Sequence, residues 1–298
     1  MAEELGLAGR IGEDRAMVTF SLQAQPTDAA EWIDLARRAE EIGFAALYVA
    51  DHPGSCAAPF VALAAAAAVT SRIRLGSYVS NAGVREPILL ATDVATLDVV
   101  SGGRAVLGLG AGHTPAEWAA VGRVRPDVRG RVDHCIEVAE RTRAILAGDG
   151  LTKPRPVQEP VPLLIGGANS RLLRWAADHA DLIGLSGLGR TLADGHSHET
   201  RWAGDQIDTQ VALCGDTPTE ALVQRFEITD DAGRAYAEWA TEMEEKEADL
   251  VAAPFVFAGT HDEIVAKLRE VERRWGITRF AVRLPAIEAI PAILAAYK

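Results

Sequence analysis

Two histidines stand where apolar runs stop. "FAALYVADH" ends in the titratable pair Asp51-His52, and "RAVLGLGAGH" ends at His113. An imidazole at such a change of solvation can give a proton, or a hydrogen bond, to charge developing on a substrate. The bland counterpart is that Asp51 caps the next loop and His52 fills the mouth of the fold. A third run, "VPLLIGGANSRLL", closes on Gly166-Gly167 and enters a helix at Asn169 or Ser170. Glycines let a ligand approach the backbone, and N–H groups at a helix start favour phosphate. Arg171, in the first turn, would add local positive charge in a chain whose formal net charge is −12. A tight turn between strand and helix is the alternative there.

These residues can act together only if their strands end at one place. "AMVTFSLQA" from Ala16 reads as a first strand, and "TDAAEWIDLARRAEEIG" puts Trp32, Leu35, Ala36, Ala39 and Ile42 on one helical face. Thr27 or Asp28 caps that helix and Gly43 stops it. The alternation continues through "FAALYVADH", an alanine-rich helix, "IRLGSYVSN", "PILLATDVATLDVVS" and "RAVLGLG". After a long helix come "VPLLIGG", "SRLLRWAADHA" and "DLIGLSG". The spacing then suggests "QIDTQVALCG" as a seventh strand and a helical stretch from Asp231 to Val251. Thr260 and Glu263 form a capping box before another helix, "TRFAVRL" is the eighth strand, and a short helix runs to Lys298.

Eight strands, each followed by helical sequence, predict an α/β fold: a single (β/α)8 TIM barrel over residues 1–298, with irregular insertions at the carboxyl face. An open doubly wound sheet competes, but its glycine fingerprint belongs on the first strand–helix unit. Here G-x-G-x-G follows the fourth strand and lacks the x-x-G continuation. In a barrel the chemistry lies at the carboxyl strand ends. Those ends are Gln23 and Gln25, Asp51-His52, Ser80-Asn81, Ala111-Gly112-His113, Gly166-Gly167, Ser186 and Arg283. Gln23, Ser186 and Arg283 are the candidates for substrate contact. Residues 186–204 form an irregular excursion of lid-like length. His196-x-His198 within it could bind metal, although a solvated loop accounts for it more simply.

Composition narrows the function classes. No basic stripe interrupts the acidic chain, which argues against a nucleic-acid binder. Cys56, Cys135 and Cys214 are odd in number and scattered, so neither a disulfide framework nor a zinc site is expected, and a reducing cytoplasm is the natural compartment. "MAEELGLAGRIGEDR" lacks the apolar core of a signal peptide, and "AAPFVALAAAAAV" is too short to span a bilayer. No H-x-H ends the first strand, which argues against metal-dependent hydrolysis. His134, His179 and the tryptophans at helical spacing read as packing residues.

In this order, "RRAEEIGFAALYVADH", "SRIRLGSYVSN", "ATLDVVSGGRAVLGLGAG" and "PLLIGGANSRLLRWAADHADLIGL" resemble the bacterial-luciferase-like oxidoreductases. The fit is closest to the branch that uses the deazaflavin coenzyme F420. The resemblance runs from about Phe20 to Leu185 and resumes at "FAGTHDEIVAKLREVERRWGITRFAVR". It implies a homodimeric barrel holding its cofactor at the carboxyl strand ends. Asp51 and Asn81 would contact the deazaflavin head group, and Ala111 and Gly112 would line the ring edge. Gly166, Gly167, Asn169 and Ser170, with Arg171, would hold its phosphate. A non-proline cis peptide, placed by the resemblance at Tyr78-Val79, would back the ring.

The resemblance further implies hydride transfer between F420 and a small organic substrate, with His52 and then His113 as proton donors. The family's sugar-phosphate dehydrogenases carry Glu where this chain has His113, and lysines around the substrate phosphate. Here Arg283 is the clearest cation, which argues against glucose 6-phosphate. "GLTKPRPVQEP" is also shorter than is common in the family, implying a more open or differently lidded pocket. An FMN-dependent monooxygenase and a catalytically silent flavin-binding protein are the rival readings.

Overall fold

The computed structural model describes residues 18–150, 153–192 and 198–297. β1 (Thr19–Gln23) leads into α1 (Ala29–Ile42). The Asp28 side chain accepts from the amides of Ala30 and Glu31 to start α1, and Gly43 ends it at φ 97°. β2 (Ala46–Val49) and α2 (Pro59–Ala67) follow. The next strand comes in two pieces, β3 (Arg74–Ser77) and β4 (Ser80–Asn81), separated by the cis peptide Tyr78-Val79 that the resemblance places there. Then come α3 (Pro87–Ser101), β5 (Ala105–Gly110), the short α4 (Pro115–Ala120) and α5 (Val128–Leu146). β6 (Leu163–Gly166), α6 (Ser170–His179) and β7 (Leu182–Leu185) continue the alternation.

Beyond β7 the structure corrects the sequence pattern three times. The excursion at 186–204 is ordered in part as an antiparallel pair, β8 (Leu188–Thr191) and β9 (His198–Thr200). His196 lies outside the described residues. The segment expected as the seventh strand is a helix, α7 (Gly204–Cys214), because Ile207, Gln210 and Cys214 recur at helical spacing on its buried face. The seventh stave is instead β10 (Thr219–Leu222). After β11 (Arg225–Ile228), the expected single helix is two, α8 (Ala232–Met243) and α9 (Glu247–Ala252), parted at Glu244, whose φ is 55°. β12 (Val256–Gly259) pairs with β11, and α10 (His261–Trp275) begins with the expected capping box. β13 (Arg279–Arg283) and α11 (Ile290–Tyr297) complete the described chain.

The barrel order is β3-β2-β1-β13-β10-β7-β6-β5, and β3–β5 pairing closes it; β4 continues β3 along β5. Every stave pairs parallel. Inside lies a small cluster that includes Tyr48, Tyr78, Val106, Leu164 and Leu182. The larger core fills the layer between staves and helices.

β5 owes its glycines to the broken neighbour strand. A Cβ on Gly108 would stand 1.7 Å from the Ser77 carbonyl oxygen, and one on Gly110 2.6 Å from Val79 Cγ2. Gly112, at φ 68°, would drive a Cβ to 1.9 Å from Asn81 Oδ1. The run that invites a dinucleotide reading makes room for the Tyr78-Val79 kink.

Candidate active site

All eight stave ends open onto one cleft of about 920 Å³. Asp51, Asn81 and Gly167 line it together, and so do His52, His113, Ser186 and Arg283. Val79 lies across the ends of β5 and β6: Cβ atoms on Gly110 and Gly166 would each come within 3 Å of it. Beneath it, Gln23 Nε2 donates to the Tyr78 carbonyl at 2.6 Å, and Gln23 Oε1 accepts from Arg283 Nε at 3.3 Å. Gln23 thus ties the kinked strand to the end of β13.

His52 does not stand alone. Its Nδ1 lies 2.7 Å from Glu117 Oε1, and Asn81 Nδ2 donates to Glu117 Oε2 at 2.5 Å. The Asn81 amide donates to Asp51 Oδ2 at 3.2 Å. Arg85 takes both Asp51 oxygens, Nε to Oδ2 at 2.9 Å and Nη2 to Oδ1 at 2.7 Å. The chain Arg85–Asp51–Asn81–Glu117–His52 therefore runs along one wall. Glu117 sits in the first turn of α4, started by Pro115, and is 5% exposed.

The imidazoles of this wall are driven in opposite directions. The hydrogen bond to Glu117 raises the His52 pKa above its ordinary value and outweighs burial. Burial would raise Glu117, but the bond from His52, with help from Asn81, brings it below the usual range. His113, whose ring centroid is 5.3 Å from that of His52, is pushed down to about 4 by burial and by the neighbouring His198 and His52. At neutral pH His113 is a neutral imidazole and His52 is biased toward imidazolium.

Residues 16–201 match the family model described as luciferase-like monooxygenase. The chain belongs to this luciferase-like family. A 5,10-methylenetetrahydromethanopterin reductase of Methanopyrus kandleri is 39% identical over 98 residues, which cover 33% of this chain and 28% of that protein's own length. The coenzyme F420-dependent tetrahydromethanopterin reductase structure from the same organism superposes with TM-score 0.70 at 20% identity, covering 95% of this chain and all of that one. The monooxygenase RslO1 of Streptomyces bottropensis gives TM-score 0.72 at 21% identity, covering 93% and 96% of the two chains. Members of both chemistries thus share the barrel.

Within this luciferase-like barrel, Tyr78, Val79, Ala111, Gly112, Gly166 and Asn169 also line the cleft. Two expected phosphate contacts do not. Ser170 is exposed and lies outside the lining, and Arg171 turns away to Asp133 on α5. The cause is tertiary: α5 brings a carboxylate beside the start of α6. Asn169 spends its side chain on the amides of Arg171 and Leu172, so the start of α6 is already capped. Glu117, Arg131, Arg201 and His198 also line the cleft and Arg85 pairs with Asp51, although none of the five ends a strand in the sequence pattern. Glu117 was the most findable, an acid four residues beyond a strand-end histidine on a proline-started helix. His198, placed by the β8–β9 pair, stacks edge-on against His113 at 4.5 Å. Among the described residues, no cluster of three or more His, Cys, Asp or Glu could hold a metal ion, and no helix is long and apolar enough to cross a membrane.

Proposed function

We propose that this protein is an F420-dependent oxidoreductase that moves a hydride between the deazaflavin and a C=C, C=N or C=O carbon of a small organic substrate. The observation that carries the reading is a pair of imidazoles in one cleft: His52, with Nδ1 2.7 Å from Glu117 Oε1, and His113, whose ring centroid lies 5.3 Å from that of His52. When bound, the cofactor would supply the hydride in the reducing direction and the carbon that accepts it in the reverse. The protein supplies the rest. Val79 and the small residues of β5 and β6 give a planar ring a flat seat, and Asn81 and Ala111 border it. In the reducing direction the substrate becomes an anion as hydride arrives. With Nδ1–H engaged by Glu117, His52 gives the Nε2 proton to that anion and is left neutral in one tautomer. Gln23, Ser186 and Arg283 line the same cleft and would contact the substrate.

The deazaflavin preference is supported by the F420-dependent neighbour and by the Asp51-His52 and Gly166-Gly167 features. Fluorescence titration decides it: F420 binds at least tenfold more tightly than FMN, and the reverse order puts a flavin monooxygenase in its place. His52→Ala lowers kcat by ~10²–10⁴ while cofactor affinity stays within about threefold. Bound cofactor with turnover indifferent to that change means a catalytically silent binder. The same proposal makes the protein a cytoplasmic homodimer. Exposed Val61, Leu89 and Val100 on α2 and α3 offer apolar surface for pairing, and sedimentation as a monomer at tens of micromolar removes that part.

A further inference from the structure

The wall that carries His52 holds two carboxylates, and each has its own cation. Glu117 has His52 itself. Asp51 is 3% exposed and has Arg85, which comes from the turn between β4 and α3 and, among the described residues, stands behind the cleft lining rather than in it. Arg85 is held from three directions. Its Nε and Nη2 grip the two Asp51 oxygens, its Nη1 lies 3.7 Å from Asp93 Oδ2 on α3, and its guanidinium carbon stands 5.8 Å from the centroid of the Phe60 ring on α2. A planar fork fixed in this way leaves the Asp51 carboxylate one orientation.

Asn81 passes that orientation on. Its backbone amide donates to Asp51 Oδ2. Its side-chain Oδ1 accepts from the Gly83 amide at 2.8 Å, which turns Nδ2 toward Glu117 Oε2. Glu117 then presents its other oxygen to His52 Nδ1. The groups that face His52 are Glu117 on α4, Asp51 at the end of β2, the Cys56 thiol on the loop that follows, and neutral His113 at the end of β5. The Glu117 bond raises the His52 pKa most, burial opposes it, and the charge of Asp51 adds to the rise. A buried carboxylate stripped of its partner would act on its neighbours at full strength. Arg85 spares His52 that field.

We propose that Arg85 is a positioning residue for the proton donor: from behind the cleft it neutralises Asp51, aligns Asn81 and leaves Glu117 as the carboxylate that governs His52. The role rests on the reading of His52 as the donor, but it does not depend on which ring or substrate fills the cleft.

The test needs no ligand. The His52 ring is assigned against H52N and titrated by NMR in the wild type, R85M, R85K, E117Q and R85M/D51N. In R85M the midpoint moves to higher pH by roughly half a unit or more, opposite in sign to E117Q, because an uncovered Asp51 adds its charge to that of Glu117. R85K returns it most of the way. R85M/D51N, in which both charges are gone, brings it back to the wild-type position. The side-chain amide protons of Asn81 exchange with solvent about tenfold faster in R85M. A residue that only held the fold would lower the melting temperature and leave the His52 midpoint where it was. Thermal melts identify a variant that fails to fold, and R85Q, which keeps a hydrogen bond to Asp51 without the charge, then stands in for R85M. An R85M midpoint at or below that of the wild type, or one that D51N fails to correct, overturns the proposal and leaves the donor reading intact. Turnover indifferent to H52A removes the donor reading, and with it the part assigned to Arg85 in the reaction, while the midpoint shifts stand.

Discussion

The two ends of the barrel use the same polar residue types in opposite ways. At the amino end of the staves, Arg104 gives Nε to the Ser101 carbonyl, Nη1 to Thr70 Oγ1 and the Ile73 carbonyl, and Nη2 to the Ala67 and Thr70 carbonyls, all at 2.7–3.1 Å. Asp98 accepts there from the amides of Ala105, Val157 and Gln158 and from Gln158 Nε2. Every such valence is filled by the chain itself. At the carboxyl end, Arg131 keeps an unpartnered Nε and His52 a ring nitrogen beyond the one on Glu117. A saturated polar group locks elements together, whereas an open one waits for something not yet there. Between Arg104 and Asp98 at the floor and Arg131 and His52 at the mouth, the difference is one of hydrogen-bond completeness.

The largest effect falls on the floor. Arg104→Ala strands the carbonyls between α2 and β3 together with that of Ser101 at the end of α3, and lowers stability by about 3 kcal/mol. Chemical denaturation measures this as a lower midpoint with an unchanged slope. Cofactor affinity measured well below the transition does not change. A variant of full stability that binds cofactor poorly would break the contrast.

At the mouth, Glu117→Gln sharpens it. Glu117 is what raises His52, and an amide cannot accept from both His52 and Asn81 as a carboxylate does. The His52 titration followed by NMR therefore moves to lower pH, and the alkaline limb of kcat/KM moves with it. The sign follows from both partners. Stability from a raised His52 is complete below the ordinary imidazole pKa and fades as pH rises through the raised one. Stability from a lowered Glu117 is complete above the ordinary carboxylate pKa and fades as pH falls through the lowered one. The pair acts in the window between, and E117Q removes its contribution across that window. An unmoved His52 titration counts against the dyad.

How much of this could be read from the chain differs by element. The first six staves are apolar runs ended by Gln-Pro, Asp-His, Asn or Gly, and period and punctuation suffice. β10 escaped because an acid sits in the middle of it. Glu220 points into the barrel, where Ser21 Oγ donates to it at 2.7 Å and burial lifts its pKa to about 7. No local pattern marks a carboxylate as interior. His52, Asn81 and His113 were legible because strand ends in a barrel must converge. Glu117 and Arg171 were not, since each is defined by a partner far along the chain: Glu117 by His52, 65 residues away, and Arg171 by Asp133. Helix-start electrostatics correctly locates a dipole, but not the neighbour that uses it up.

The smallest effect returns to the floor and asks whether its saturation also has a pH signature. Glu40, near the end of α1, accepts from the amides of Ser71, Arg72 and Ile73 at 2.6–3.1 Å and from Ser71 Oγ at 3.2 Å. Burial works against the charged form, but the three amides outweigh it and bring its pKa down to about 2. A lowered carboxylate contributes stability above its unfolded pKa and loses it as the pH falls through the folded one. The wild type therefore sheds this contribution between roughly pH 4.5 and 2. Glutamine keeps an acceptor for one or two amides but no charge. Because the group is partly solvated, Glu40→Gln costs only about 1 kcal/mol at pH 7. Urea unfolding at stepped pH should show the two proteins converging as the solution approaches pH 2. A gap that persists there would mean that Glu40 holds the strand entry by shape rather than by charge, and the floor's completeness would then be geometric before it is electrostatic.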